Sequence, residues 1–126
     1  ITIPSQYSGS YYITVKNRNH IETTTALPVS FVATVVDYAF DNQAKAFGNN
    51  LKDILPGSGF YLIYCGDINQ DGYVDSGDYP DVINDSYNYL TGYRVTDLNG
   101  DGWVDSGDYP ILVNNNYNYV SAYLPF

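Results

Sequence analysis

The sequence has 126 residues, of which 44% are hydrophobic, and a net charge of −9 at pH 7. That length builds one compact core or two small ones. The excess of acidic residues argues against nucleic acid or an anionic membrane as partner. The sequence has no apolar run of about 18 residues, so it predicts no membrane span. The charge is uneven, because residues 1–66 sum to zero and residues 67–126 carry ten Asp against one Arg. This shift predicts two domains, residues 1–65 and residues 66–126.

The first predicted domain has the period-two alternation of β-strands. The chain opens on Ile1-Thr2-Ile3, which reads as the middle of a strand. Further stretches rich in β-branched and aromatic residues predict strands at residues 11–16, 21–26, 29–40 and 60–65. Together they predict an antiparallel β-sandwich-like domain of about five strands. Immunoglobulin-like sandwiches have about seven strands, so this domain is predicted to be incomplete. The missing strands would come from upstream sequence or from a neighbouring subunit by strand addition.

The second predicted domain contains an internal duplication with an offset of 30 residues. Sixteen of the 27 residues from 67 to 93 are identical to their counterparts from 97 to 123. Such self-similarity indicates two copies of one supersecondary unit. The first twelve residues of each copy are named here loop 1 (residues 67–78) and loop 2 (residues 97–108).

Each loop has the oxygen-rich pattern that calcium requires, since this ion binds six to eight hard oxygens. Asp or Asn occupies positions 1, 3, 5, 9 and 12, and Gly occupies position 6, where the chain turns sharply. The predicted ligands, with a backbone carbonyl at position 7, are Asp67, Asn69, Asp71, Tyr73, Asp75 and Asp78 in loop 1, and Asp97, Asn99, Asp101, Trp103, Asp105 and Asp108 in loop 2. The sequence therefore predicts two Ca²⁺ sites, and a merely acidic turn is the weaker interpretation.

Residues 66–124 resemble the dockerin type I domain, in which two such loops each lead into a helix and position 12 is Asp. The resemblance implies helices that start at Tyr79-Pro80 and Tyr109-Pro110, where proline is tolerated in the first turn. Val74 and Val104, at position 8, are expected to be buried and joined by a short β-bridge. Residues 9–23 resemble a β-rich segment found before dockerin-like repeats in secreted proteins of Bacteroidetes-like bacteria. Thrombospondin type 3 repeats share much of the loop spacing, but their copies follow one another closely, without the long segment that separates the two loops here. They are therefore the weaker resemblance.

The resemblance also bears on the partner. Dockerins bind cohesin modules through a polar pair at loop positions 10 and 11 and through basic residues of the helices. Here these positions are Ser76-Gly77 and Ser106-Gly107, and the predicted helices contain no Lys or Arg. A cohesin-like partner is therefore the weaker prediction for this chain.

The aromatic residues repeat with the loops. Tyr87, Tyr89 and Tyr93 recur as Tyr117, Tyr119 and Tyr123. With Trp103 they would form either a sugar-stacking platform or the core of the small domain, and we expect the core because a small domain needs aromatic area.

The patterns together predict a non-catalytic module in an extracellular or cell-surface location. No enzyme is expected, since His20 is the only histidine and the clustered carboxylates are assigned to metal. The abundance of Tyr, Asn, Ser and Thr resembles the surfaces of extracellular bacterial proteins. The preferred function is a structural subunit of a surface filament, layer or other secreted assembly. The alternatives are a cohesin-binding dockerin module of a secreted enzyme complex and a carbohydrate-binding accessory domain.

Overall fold

The computed structural model describes residues 4–33 and 35–126, so the strand predicted at residues 1–3 lies outside the described residues. Within them the protein is a small mixed β/α fold with short strand pairs and two nine-residue helices. The strands are β1 (Ser10–Tyr11), β2 (Thr14–Asn17), β3 (His20–Thr24), β4 (Val29–Ser30), β5 (Lys52–Asp53) and β6 (Tyr61–Leu62). The helices are α1 (Tyr79–Tyr87) and α2 (Tyr109–Tyr117), and 3₁₀ turns cover Ser5–Tyr7, Gln43–Lys45 and Phe47–Asn49. Neither helix has the length and apolar character needed to cross a membrane, in the part of the chain described.

The described strands pair in twos, β1 with β4, β2 with β3 and β5 with β6. The first and last of these pairs are antiparallel. The observed strands are shorter than the predicted ones. Of the described residues in the stretch 29–40, only Val29–Ser30 is a strand, and the stretch 11–16 is interrupted at residues 12 and 13. β-branched and aromatic composition marks a surface that fits a sheet, but the partner strand decides how far pairing extends. The five-strand sandwich stays a prediction.

The chain divides into two compact units. The first unit contains the described residues up to Val15, Thr23–Leu62 and Tyr123–Phe126, and the second contains Lys16–Glu22 and Ile63–Ala122. The boundary placed between residues 65 and 66 stays a prediction. The second unit additionally takes in residues 16–22, which include the turn between β2 and β3.

The first unit buries little apolar surface. Among its described residues, the fully buried hydrophobic side chains are Ala46 and Leu51. More than half of the surface of several others is exposed, namely Leu27, Val32, Val35, Ile54, Leu55, Phe60 and Leu62. Such an apolar surface on a small unit is typical of a contact region.

The second unit has a continuous hydrophobic core to which the repeat contributes in pairs. Ile68 and Leu98 come from position 2 of the loops, and Val82 and Leu112 come from α1 and α2. Ile21 of β3 is fully buried in the same cluster, with Val74 and Val120. The exit helices predicted after each loop are thus confirmed, and each presents one side chain of this cluster to the core.

Backbone hydrogen bonds join the two repeats reciprocally. In loop 1, Val74 N donates to Val120 O at 2.9 Å, and the carbonyl of Gly72 accepts from Ala122 N at 2.7 Å. Loop 2 repeats this, because Val104 N donates to Leu90 O at 2.9 Å and Gly92 N donates to Gly102 O at 2.8 Å. Each loop therefore pairs with the segment that follows the other repeat's helix.

This pairing corrects one prediction. Val74 and Val104 are buried as expected, each with 2% of its surface exposed. The expected bridge between them is wrong, because their N–H groups donate to Val120 and Leu90. The short β-bridges are Tyr73 with Ser121 and Thr91 with Trp103. A bridge between residues far apart in sequence depends on how the helices pack, which the loop sequence alone does not specify.

Candidate metal centres

Loop 1 is wrapped around its own side-chain oxygens. The carboxylate of Asp67 accepts N–H bonds from Asp71 and Gly72, both at 3.1 Å. Asn69 Oδ1 accepts from Asp71 N at 2.9 Å, and Asp71 Oδ1 accepts from Tyr73 N at 2.9 Å. Asp75 Oδ1 closes the series with Gly77 N at 2.6 Å. The side-chain oxygens at alternate positions therefore accept hydrogen bonds from backbone N–H groups of the same loop.

Loop 2 repeats the arrangement almost bond for bond. Asn99 Oδ1 accepts from Asp101 N at 2.8 Å, and Asp101 Oδ1 accepts from Trp103 N at 2.9 Å. Asp105 Oδ1 accepts from Gly107 N at 2.7 Å. The Asp97 carboxylate accepts from Gly102 N at 3.1 Å and from Gly100 N at 2.8 Å. The second N–H donor to the carboxylate at position 1 differs, since loop 1 uses Asp71 and loop 2 uses Gly100.

The carboxylate at position 12 holds the two ends of each loop together. Asp78 is fully buried, and its Oδ1 accepts from Ile68 N at 2.7 Å and from Asn69 N at 3.2 Å. Its Oδ2 accepts from Asp75 N at 2.9 Å. Asp108 is equally buried and makes the same three bonds in loop 2, at 2.7, 3.0 and 3.0 Å. A side chain with fewer than two acceptor oxygens would leave at least one of these N–H groups without an acceptor.

The electrostatics of loop 1 favour a cation. The pKa of the Asp67 carboxyl is raised to about 6, chiefly by burial and also by the charges of Asp78 and Asp71, while the hydrogen bonds from the N–H groups of Gly72 and Asp71 act to lower it. Desolvation and like charges both penalise the ionised carboxylate. A divalent cation between these groups would offset both penalties.

The donor chemistry fits calcium. Each loop offers four carboxylates and one amide oxygen, and the four hydrogen bonds that flank the β-bridges do not use the carbonyls of Tyr73 and Trp103. A carboxylate oxygen that accepts one N–H keeps a second lone pair for a metal. Among the described residues, however, no three His, Cys, Asp or Glu side chains converge closely enough to hold a metal ion. The twelve predicted ligands are therefore arranged in two ordered oxygen-rich loops, and calcium binding itself stays a prediction.

A turn outside the repeat also supports both loops, and the sequence did not reveal it as functional. Asn19 has 2% of its surface exposed, and its Nδ2 donates to Val95 O at 3.0 Å and to Asp97 O at 3.2 Å. The backbone carbonyl of Asn19 accepts a hydrogen bond from Gly66 N at 2.7 Å. Gln70 of loop 1 donates through Nε2 to His20 O at 3.3 Å. Asn17-Arg18-Asn19 has the composition of any surface turn, so only the long-range contacts identify this role.

The repeated tyrosines overturn an expectation. Five of them are more than four-fifths exposed, which excludes them from the core of the described unit: Tyr87, Tyr89, Tyr93, Tyr117 and Tyr119. Tyr123 and Trp103 are 51% and 60% exposed. The prediction that these aromatic residues build the core is wrong, because Ile, Leu and Val from the loops and helices fill it instead.

The chain matches no model of a known protein family, no curated protein and no solved structure.

Proposed function

We propose that this chain is a non-catalytic, calcium-binding structural module of an extracellular or cell-surface assembly. The observation that carries the proposal is the duplicated network in which alternate side-chain oxygens of each loop accept backbone N–H bonds. Asp78 and Asp108 make the same three bonds in their respective loops. An oxygen-rich loop that is ordered in this way is suited to a hard divalent cation.

In this proposal the C-terminal half is a dockerin-like pair of calcium loop-helix units. The carboxylates at positions 1, 5, 9 and 12, the Asn oxygen at position 3 and the carbonyl at position 7 would hold each ion. Calcium would supply positive charge to residues 67–126, which contain ten Asp and one Arg. Binding would thereby stabilise the folded unit, since any ligand that binds only the folded state does so.

In the proposed assembly the first unit makes the contact between copies. It is an incomplete β-sandwich that accepts a strand from a neighbouring copy. Its described strand pairs are short, and its apolar side chains are largely exposed; Val32 and Val35 are 73% and 69% exposed. Strand addition would bury such side chains and pair the free backbone groups of a sheet edge.

Calcium titration tests the metal sites. We expect calorimetry to give two calcium ions per chain. Asp71→Asn should lower the calcium affinity of loop 1 by at least about tenfold, or about 1.4 kcal/mol, because it removes one ligand charge. Asparagine can still accept the N–H of Tyr73, and the loop loses only the exposed bond from Asn69 Nδ2 to Asp71 Oδ2. Asp101→Asn should affect only loop 2. Asp81→Asn, an exposed position on α1, is the control with the same charge change. Absence of calcium binding by the unsubstituted chain would refute the sites.

Light scattering and electron microscopy of the purified protein test the assembly. We expect concentration-dependent oligomers or filaments, and we expect Val32→Lys with Val35→Lys to abolish them by placing two charges on the apolar surface of the first unit. The matched control is Ile83→Lys with Val113→Lys, which replaces two half-exposed apolar residues of α1 and α2. A monomer at all concentrations would contradict the assembly and leave the calcium sites unaffected.

A further inference from the structure

Both helices end in the same hydrogen-bonded motif with a tyrosine at an unusual position. After α1, Leu90 N donates to Asp85 O and Tyr89 N donates to Ser86 O, both at 3.1 Å. After α2, the equivalent bonds run from Val120 N to Asn115 O at 3.0 Å and from Tyr119 N to Asn116 O at 2.9 Å. This pattern is the Schellman motif, and its left-handed residue is usually glycine.

Tyr89 and Tyr119 occupy that left-handed position with φ values of 52° and 53°. A side chain there strains the backbone, because its Cβ approaches the following carbonyl. Packing does not compensate for the strain, since the two side chains are 84% and 88% exposed. A strained conformation that recurs at equivalent sites and contributes little burial points to a role of the side chain outside the fold.

The surroundings of the two tyrosines resemble a protein-binding surface. Tyr87 and Tyr117, two residues earlier, are 82% and 81% exposed. Residues 86–93 and 116–123 contain no charged side chain, although the chain carries a net charge of −9. Charged residues are depleted and aromatic residues enriched in the centres of protein interfaces. Tyrosine together with Asn and Ser is also the composition of antibody contact loops, where it gives large contact area at low entropic cost.

We infer that Tyr87, Tyr89, Tyr117 and Tyr119 form two equivalent contact sites for a basic protein segment that presents arginine side chains. Charge complementarity favours this partner, since an acidic unit attracts cations at long range. The chain itself contains one example of the contact, because the guanidinium of Arg18 lies 3.7 Å from the ring centroid of Tyr93. Arginine over an exposed tyrosine ring is a favourable cation–π pair. The acidic residues 67–126 of a second copy, docked at these sites, would instead bring like charges together.

The test uses the full chain with Tyr89→Gly and Tyr119→Gly combined, and a synthetic peptide of alternating Arg and Gly as the probe. We expect the peptide to bind the unsubstituted chain and to shift the NMR signals of residues 86–93 and 116–123. The double variant should lose at least about tenfold in affinity, as expected for aromatic hot spots. Its melting temperature should rise, because glycine relieves the strain at both positions. Opposite changes in stability and binding separate a contact role from a structural one.

Controls make the outcome decisive. Tyr7→Ala, an exposed tyrosine of the first unit, should leave peptide affinity unchanged. Tyr89→Asn with Tyr119→Asn should lose affinity like the glycine pair, since asparagine tolerates this backbone conformation. The inference is overturned if the glycine variant melts lower, or if it binds the peptide as tightly as the unsubstituted chain. It is also overturned if neutral oligosaccharides, or a second copy of the chain, bind these tyrosines in place of the peptide.

Discussion

Asp78→Asn is expected to lower the free energy of unfolding of the second unit by about 3 kcal/mol or more, because buried N–H groups lose a charged acceptor. The carboxylate is fully buried and accepts from Ile68, Asn69 and Asp75. Asparagine keeps one oxygen for the first two donors. Its amide nitrogen would then face the N–H of Asp75, so two donors meet at a buried position.

Chemical denaturation followed by circular dichroism measures this effect, with Asp81→Asn as control. Asp81 is exposed in the first turn of α1, where the same loss of charge removes only a favourable interaction with the helix dipole, about 0.3 to 1 kcal/mol. Asp108→Asn should reproduce the Asp78 result, because loop 2 makes the same three bonds. Equal effects of Asp78→Asn and Asp81→Asn would contradict a bracing role.

Calcium divides the effect of Asp78→Asn into two parts. The loss measured in chelator reports the three hydrogen bonds alone. Any greater loss measured in saturating calcium reports the additional role of Asp78 as a proposed ligand, since a bound ion stabilises only the folded chain. If the loss of stability is the same in chelator and in calcium, the lost hydrogen bonds explain all of it. That result would count against Asp78 as a ligand.

Local chemistry explains what could be predicted from the sequence. The loops depend on short-range rules, since Asp and Asn accept N–H bonds two residues ahead and glycine takes the turn with positive φ. Gly72 and Gly102 do so with φ of 91° and 88°. The start of each helix depends on the next residues along the chain, where Pro80 and Pro110 fit the first turn.

Long-range pairing explains what could not be predicted. The hydrogen bonds from Val74 to Val120 and from Val104 to Leu90 join residues of different repeats, and no local pattern selects between these partners and a direct bridge. The exposure of Tyr89 and Tyr119 was missed for a related reason. Their repetition indicated importance, but repetition does not distinguish a core residue from a surface contact.

Asn19 is the clearest case of such long-range pairing, because this one turn residue is hydrogen-bonded to residues 47 to 78 positions away. Its backbone carbonyl accepts from Gly66 just before loop 1. Its side-chain Nδ2 donates to the carbonyls of Val95 and Asp97 where loop 2 begins. The turn therefore fixes the entry to both loops, and residues 16–22 belong to the same compact unit as the loops.

Asn19→Asp is accordingly expected to destabilise the second unit by about 3 kcal/mol, since it replaces a buried donor with a buried charge facing two carbonyls. Asn17→Asp makes the same chemical change two residues earlier at an exposed site, and should cost less than about 1 kcal/mol. Denaturation curves give the two values, and hydrogen exchange should show faster opening of both loops in the Asn19 variant only. If the two variants behave alike, the turn is only a neighbour of the loops. If they differ as expected, the smallest stable form of the second unit must include residues 16–22.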